Sequence, residues 1–189
     1  ENYNTGRRLH ECFLGDRGWT SGFFRLNGRL YQPGDLGRVI GSEIGIQIER
    51  PDRPGGVLFD NMTALDNLCT SLIPKAGQHI IRKKIVSSIL SEALRWFPKE
   101  MLLQPLSSWS YPERLRFSYY RWYLLNPRLL ICFFPFAGQE STHHKMIIDL
   151  LVLCAQRGMA VWIISSGIDA ICEKTDNEEF LRRLHYLNK

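Results

Sequence analysis

Two stretches of this chain carry side chains that could do chemistry on a ligand. Phe117, Tyr119, Tyr120, Trp122 and Tyr123 are interleaved with Arg114, Arg116 and Arg121, a combination that can stack nucleobases on rings and guanidinium planes. Helix packing explains the same residues better, because they fall in one continuous segment of helical character. His143-His144 suggests a metal pair, but neighbours on a helix point about 100° apart, so both are expected at the surface. No serine–histidine–acid or cysteine–histidine arrangement stands out. The cysteines (Cys12, Cys69, Cys132, Cys154 and Cys172) form no C-x-x-C pair, and three of them lie in apolar segments. Buried free thiols in a reducing compartment are the expectation.

Composition bounds the rest. At 189 residues, 23% charged and 44% apolar, the chain is expected to be one globular domain that buries about 70% of its unfolded surface. No apolar run reaches the roughly 18 residues that span a bilayer, and residues 1–20 have no signal-peptide core. A net charge of +5 admits an anionic partner, yet the basic residues are dispersed. Arg82-Lys83-Lys84 is their densest cluster and reads as a solvated helix face. Nucleic-acid binding therefore has no strong case.

The elements that must position any site follow from turn residues and periodicity. Asn27-Gly28 predicts a hairpin between Phe23–Leu26 and Arg29–Tyr31. Ile44–Ile48 is a short strand, and a Pro/Gly loop follows at Pro51–Gly56. Asn61–Leu72 reads as a helix capped by Thr63, and His79–Phe97 as a second, stopped by Pro98. A third begins at Tyr111-Pro112 and ends at Asn126-Pro127. Leu129–Phe134 is apolar throughout, as a strand covered on both faces should be. A helix capped by Ser141 or Thr142 and closed by Gly158 leads to a further buried strand, Ala160–Ile164. Strand, helix, strand at this spacing is a βαβ unit with a parallel sheet.

Taken together, these segments resemble the ATP-binding subunits of ABC transporters, closest to the sugar-importer type (ribose, galactose and xylose). Trp109-Ser110-Tyr111-Pro112 stands at the place of an L-S-G-G-x-Q signature. Arg121–Arg128 resembles the family's link into the next strand, and Gly158–Ser166 the following G-M-A-V strand and switch. Leu58–Leu68 is similar to the stretch after the Q-loop, and Arg25–Arg29 to an R-L-D-G-K-type hairpin. The matches are collinear over most of residues 1–176, and Gly77–Leu106 is matched only by helical pattern.

The resemblance implies a P-loop NTPase-like α/β domain over 1–189, a mostly parallel sheet, and a small helical subdomain at 61–108. It also implies where nucleotide chemistry should sit. A P-loop needs glycines for its wrapping N–H groups, a lysine for the phosphates and a hydroxyl for Mg²⁺. Glu1–Leu9 lies where the family reads E-N-G-A-G-K-S-T-L, with Gly6 at the lysine and Arg7 and Arg8 at the hydroxyls. A one-residue slip makes Gly6-Arg7 the G-K pair, with arginine as a surrogate cation that is not equivalent to an ammonium. Phe133 and Phe134 fall at the Asp-Glu pair that would orient Mg²⁺ and polarise the attacking water. Glu140 stands at the D-loop aspartate, Ser166 at the switch, and Glu49 at the Q-loop position, with Gln47 there if the register slips. Ser110 remains in the signature, while Tyr111-Pro112 add bulk in place of two glycines.

The expected protein is thus a degenerate, non-hydrolysing ABC-type domain, more a pseudo-ATPase than an enzyme. Catalytic residues and metal ligands are expected to be absent. Gly6, Arg7, Arg8, Glu49, Ser110 and Ser166 are the candidates for any weak contact with ATP. The implied partners are an ABC-type ATPase domain, in a homo- or heterodimer, and a membrane permease. That places the chain in the cytoplasm, peripheral to the inner face of the membrane. The alternatives are a weak, metal-independent nucleotide-binding regulator and a basic nucleic-acid-binding module.

Overall fold

The computed structural model describes residues 8–9, 11–13, 23–32, 39–49, 58–76, 83–137 and 140–165. Its centre is the apolar run that sequence places between two β-type segments. Strands β3 (Ile44–Ile48), β4 (Leu129–Phe133) and β5 (Ala160–Ile164) form a parallel sheet in the order β3-β4-β5. The middle strand is buried at every position, which is why it has no polar alternation. Strands β1 (Phe24–Leu26) and β2 (Arg29–Tyr31) make a separate antiparallel hairpin. Its turn needs left-handed backbone at two successive residues, and Asn27 (φ 49°) and Gly28 (φ 78°) supply it.

Side-chain alternation divides β4 between two cores. Leu129, Ile131 and Phe133 pack with Phe13, Tyr31 and Ile44 towards the hairpin. Leu130 and Cys132 face helices α4 (Tyr111–Leu125) and α5 (Ser141–Gln156). A third core joins α1 (Ala64–Ala76), α2 (Lys83–Ala93) and the short α3 (Lys99–Leu102) to α4 through Leu68, Ile89, Phe97, Leu102 and Phe117. Glu43 ties the hairpin to the sheet. Its carboxylate accepts from the Tyr31 hydroxyl at 3.0 Å, and its backbone oxygen accepts from the N–H groups of Arg128 and Leu129.

Two local expectations are corrected. Helix α5 starts at Ser141, and its N-cap is Glu140, not Ser141 or Thr142; the Glu140 side chain makes no capping bond. His143 and His144 are half-buried, not surface residues. Each packs against a ring, His143 against Tyr111 and His144 against Phe136. The second helix runs Lys83–Ala93 within the described residues and gives way to a turn before Pro98. Cys132 and Cys154 are buried free thiols, as expected, while Cys172 lies outside the described residues.

Candidate functional site

Ligands of open parallel sheets bind beyond the carboxyl ends of the strands, and here those ends are in register. Ile48 aligns with Phe133, and Phe133 with Ile164. The ladder runs one residue further: the Glu49 N–H donates to the Phe133 carbonyl at 3.2 Å, and the Phe134 N–H to that of Ile164 at 2.7 Å. Glu49 and Phe134 therefore sit at one sheet edge, side by side with the end of β5.

The two phenylalanines end the middle strand differently. Phe133 is wholly buried in the hairpin-side core. Phe134 takes a left-handed backbone (φ 53°), is half-buried, and lies 6.5 Å from Phe133 between ring centroids. Its carbonyl accepts from Ala137, which closes a tight turn directly after the strand. Two hydrocarbon rings offer no oxygen to a cation and no base to a water. The donor set at this edge does not fit a magnesium ion handled by paired carboxylates.

On the opposite face of β3, Gly45, Gln47 and Glu49 point at α4, because alternate residues share a face. Trp122 packs so close that a Cβ on Gly45 would lie 2.8 Å from its ring. The indole Nε1–H donates to Gln47 Oε1 at 2.6 Å. Gln47 Nε2 in turn donates to Glu49 Oε1 at 2.7 Å and to Ser118 Oγ at 3.2 Å. Gln47 is thereby used as a core strut, and Glu49, one residue beyond the strand, keeps the edge position. Only 3% of Glu49 is exposed. Burial pushes the Tyr119 hydroxyl well up from its ordinary range, with neighbouring Cys132 and the Glu49 carboxylate adding to the effect. The Cys132 thiol is raised by burial, then by Cys154 and Glu49.

Ser110 is exposed at the N-cap of α4, and its polar groups are committed locally. Its hydroxyl donates to Glu113 Oε2 at 2.6 Å, and its N–H donates to the same oxygen at 2.8 Å. Those two bonds hold the Glu113 carboxyl below the usual glutamate range, the side-chain bond first. The S-x-x-E spacing is a capping-box pattern, so this role was available in the sequence without being drawn from it. Arg8 is exposed on a helical stretch, while Gly6, Arg7 and Ser166 lie outside the described residues.

The aromatic–arginine segment is a packing helix. Phe117, Tyr119 and Tyr120 are fully buried, Arg121 is 8% exposed, and Arg114 pairs with Asp60 at 2.5 Å. That leaves Arg116 as the exposed arginine of the three. Among the described residues no group of three or more His, Cys, Asp or Glu could hold a metal ion, and no helix is long and apolar enough to cross a membrane.

No protein-family model matches the chain. It is 26% identical over 159 residues to a ribose/galactose/methyl galactoside import ATP-binding protein of Pseudomonas syringae pv. tomato, covering 82% of this chain and 30% of the relative. A protein of the same description from Pseudomonas fluorescens is 27% identical over 154 residues, covering 80% of this chain and 30% of that protein. The chain thus spans about a third of the length of these relatives. Among solved structures, cbiO1 from Clostridium perfringens, part of the cbiONQ transporter complex, superposes with a TM-score of 0.67 at 19% identity over 89% of this chain and 65% of that one. A dimeric ATP-binding cassette in a post-hydrolysis state with ADP and Pi gives 0.65 at 18% identity, over 89% and 72%.

Proposed function

We propose that this chain, whose fold is that of an ABC ATPase domain and whose sequence resembles sugar-importer ATP-binding subunits, is a non-hydrolysing member of such an assembly. The observation that carries the reading is Phe133, wholly buried at the end of the middle strand where the resemblance calls for a carboxylate. The domain then contributes architecture, not turnover. It supports dimerisation or coupling while a partner ATPase domain supplies chemistry and a permease supplies the path.

Within this reading residues 61–108 form the helical subdomain, and the chain works at the cytoplasmic face of the membrane. The Ser110 hydroxyl already donates to Glu113, so offering it to a partner's phosphate requires that bond to break. Glu49, taken as the Q-loop position, is buried and already accepts from Gln47 at 2.7 Å, so it is committed to the protein's own network. Arg8 is the described residue that keeps an exposed cation in the P-loop-like segment, and Gly6, Arg7 and Ser166 complete the candidate set.

Isothermal titration with Mg-ATP tests the reading. The expected result is binding weaker than about 1 mM; tighter binding unchanged by EDTA would favour the metal-independent nucleotide-binding regulator instead. Micromolar, magnesium-dependent binding accompanied by ADP formation would defeat it.

A further inference from the structure

Arg116 is exposed and is in none of the ion pairs of the described residues. Its guanidinium carbon lies 5.8 Å from the Trp96 ring centroid and 5.3 Å from that of Phe97. Arg116 and Trp96 form one wall of an open groove of about 450 Å³, and α5 forms the other. From α5 come Lys145, Met146, Asp149 and Leu150, two adjacent pairs one helical turn apart on the same face. The floor is therefore apolar and the rims are charged. Lys145 and Asp149 are spaced to pair along the helix, yet no ion pair within 4 Å is formed by either among the described residues.

The geometry points to a docking groove for an acidic, amphipathic helical segment of a partner protein. Leucine- or phenylalanine-sized residues of that segment cover Met146, Leu153 and the edge of Trp96, each of them half-buried in the lining of the groove. Its carboxylates reach Arg116 and Lys145 from the two walls, and Asp149 rejects an additional acid, which sets the register. The charge count favours an acidic occupant over a basic one, with two cations against one anion. A row of side chains spaced by one turn on α5 suits a ridge of a second helix. A nucleobase is a poorer occupant: the Trp96 ring already meets Tyr120 at 5.3 Å, Tyr123 at 5.4 Å and the Arg116 guanidinium, and stacking would displace one of them. This site is independent of the nucleotide question, and its test contains no ATP.

Fluorescence anisotropy on the full chain tests it, with a fluorescein-labelled helical peptide of about twelve residues built from Leu, Phe, Ala and Glu. Binding in the micromolar range is expected. Arg116→Glu weakens it about tenfold, adding Lys145→Glu weakens it further, and Asp149→Asn strengthens it. Unchanged far-UV circular dichroism establishes that these exposed variants fold. Any of four results overturns the proposal: no binding up to about 1 mM, equal binding of a peptide with Lys in place of Glu, displacement by single-stranded RNA, or a protein dimer abolished by the same variants. The last would seat a second copy of the chain in the groove.

Discussion

The indole N–H of Trp122 donates to the Gln47 side chain at 2.6 Å across the interface between α4 and the sheet. Both residues are buried, at 6% and 1% exposure, so neither can turn to water. Replacing Gln47 with leucine strands the indole donor and removes the bonds to Glu49 and Ser118. A loss of about 1–3 kcal/mol is expected, from urea unfolding with an unchanged slope. A cost below about 0.5 kcal/mol would mean that this network is not a strut.

Gly45 lies directly beneath that same tryptophan. An added methyl would meet its ring carbons at 2.8 and 2.9 Å, and both residues sit in the packed core. Gly45→Ala should therefore cost about 1–3 kcal/mol by overpacking, though alanine ordinarily suits a strand better than glycine. Trp122→Phe combined with Gly45→Ala should cost less than the two changes added, because the smaller ring makes room.

Phe133 offers a sharper contrast. Phe133→Leu keeps an apolar filler and should cost about 1–2 kcal/mol. Phe133→Asp places a carboxylate in a fully buried position and should cost at least 4 kcal/mol, ~2 of it beyond the lost packing. Thermal and urea unfolding distinguish the two. On the proposed reading, in which Gly6 and Arg7 stand at the P-loop lysine and hydroxyl, an acid at this position destabilises the fold without starting hydrolysis.

The capping bond at Ser110 sets a pH dependence. Glu113 has its folded-state pKa lowered by bonds from the Ser110 hydroxyl and N–H. A depressed carboxyl contributes stability above its unfolded pKa and loses it as pH falls through the folded value. Glu113→Gln should thus lower the urea midpoint at pH 7, and the gap from the parent should shrink as pH is taken below the ordinary glutamate range. A gap that widens on acidification would contradict the bond.

Much of this fold is readable in the sequence. Ile44–Ile48 and Ala160–Ile164 are strands with the boundaries that composition gives, and Asn27-Gly28 turns the hairpin where its left-handed preference demands. The proposed site rests on the resemblance, because Phe133 in isolation is indistinguishable from any core residue. What composition hid was the pairing of distant polar groups. Gln47 and Trp122 are 75 residues apart, and nothing local announces that an amide in a strand will be satisfied by an indole on a later helix. The histidines failed for a similar reason: His143 and His144 diverge on the helix as expected, but each meets an aromatic ring supplied by another segment.

The central claim is that the sheet edge has exchanged catalysis for packing, and single-turnover phosphate release tests it most directly. With protein in excess over Mg-ATP, the account predicts no ADP above the level of a no-protein control, and no gain on raising Mg²⁺. Phosphate release at rates of about 0.1 per second or faster, from this chain alone and abolished by EDTA, would contradict it.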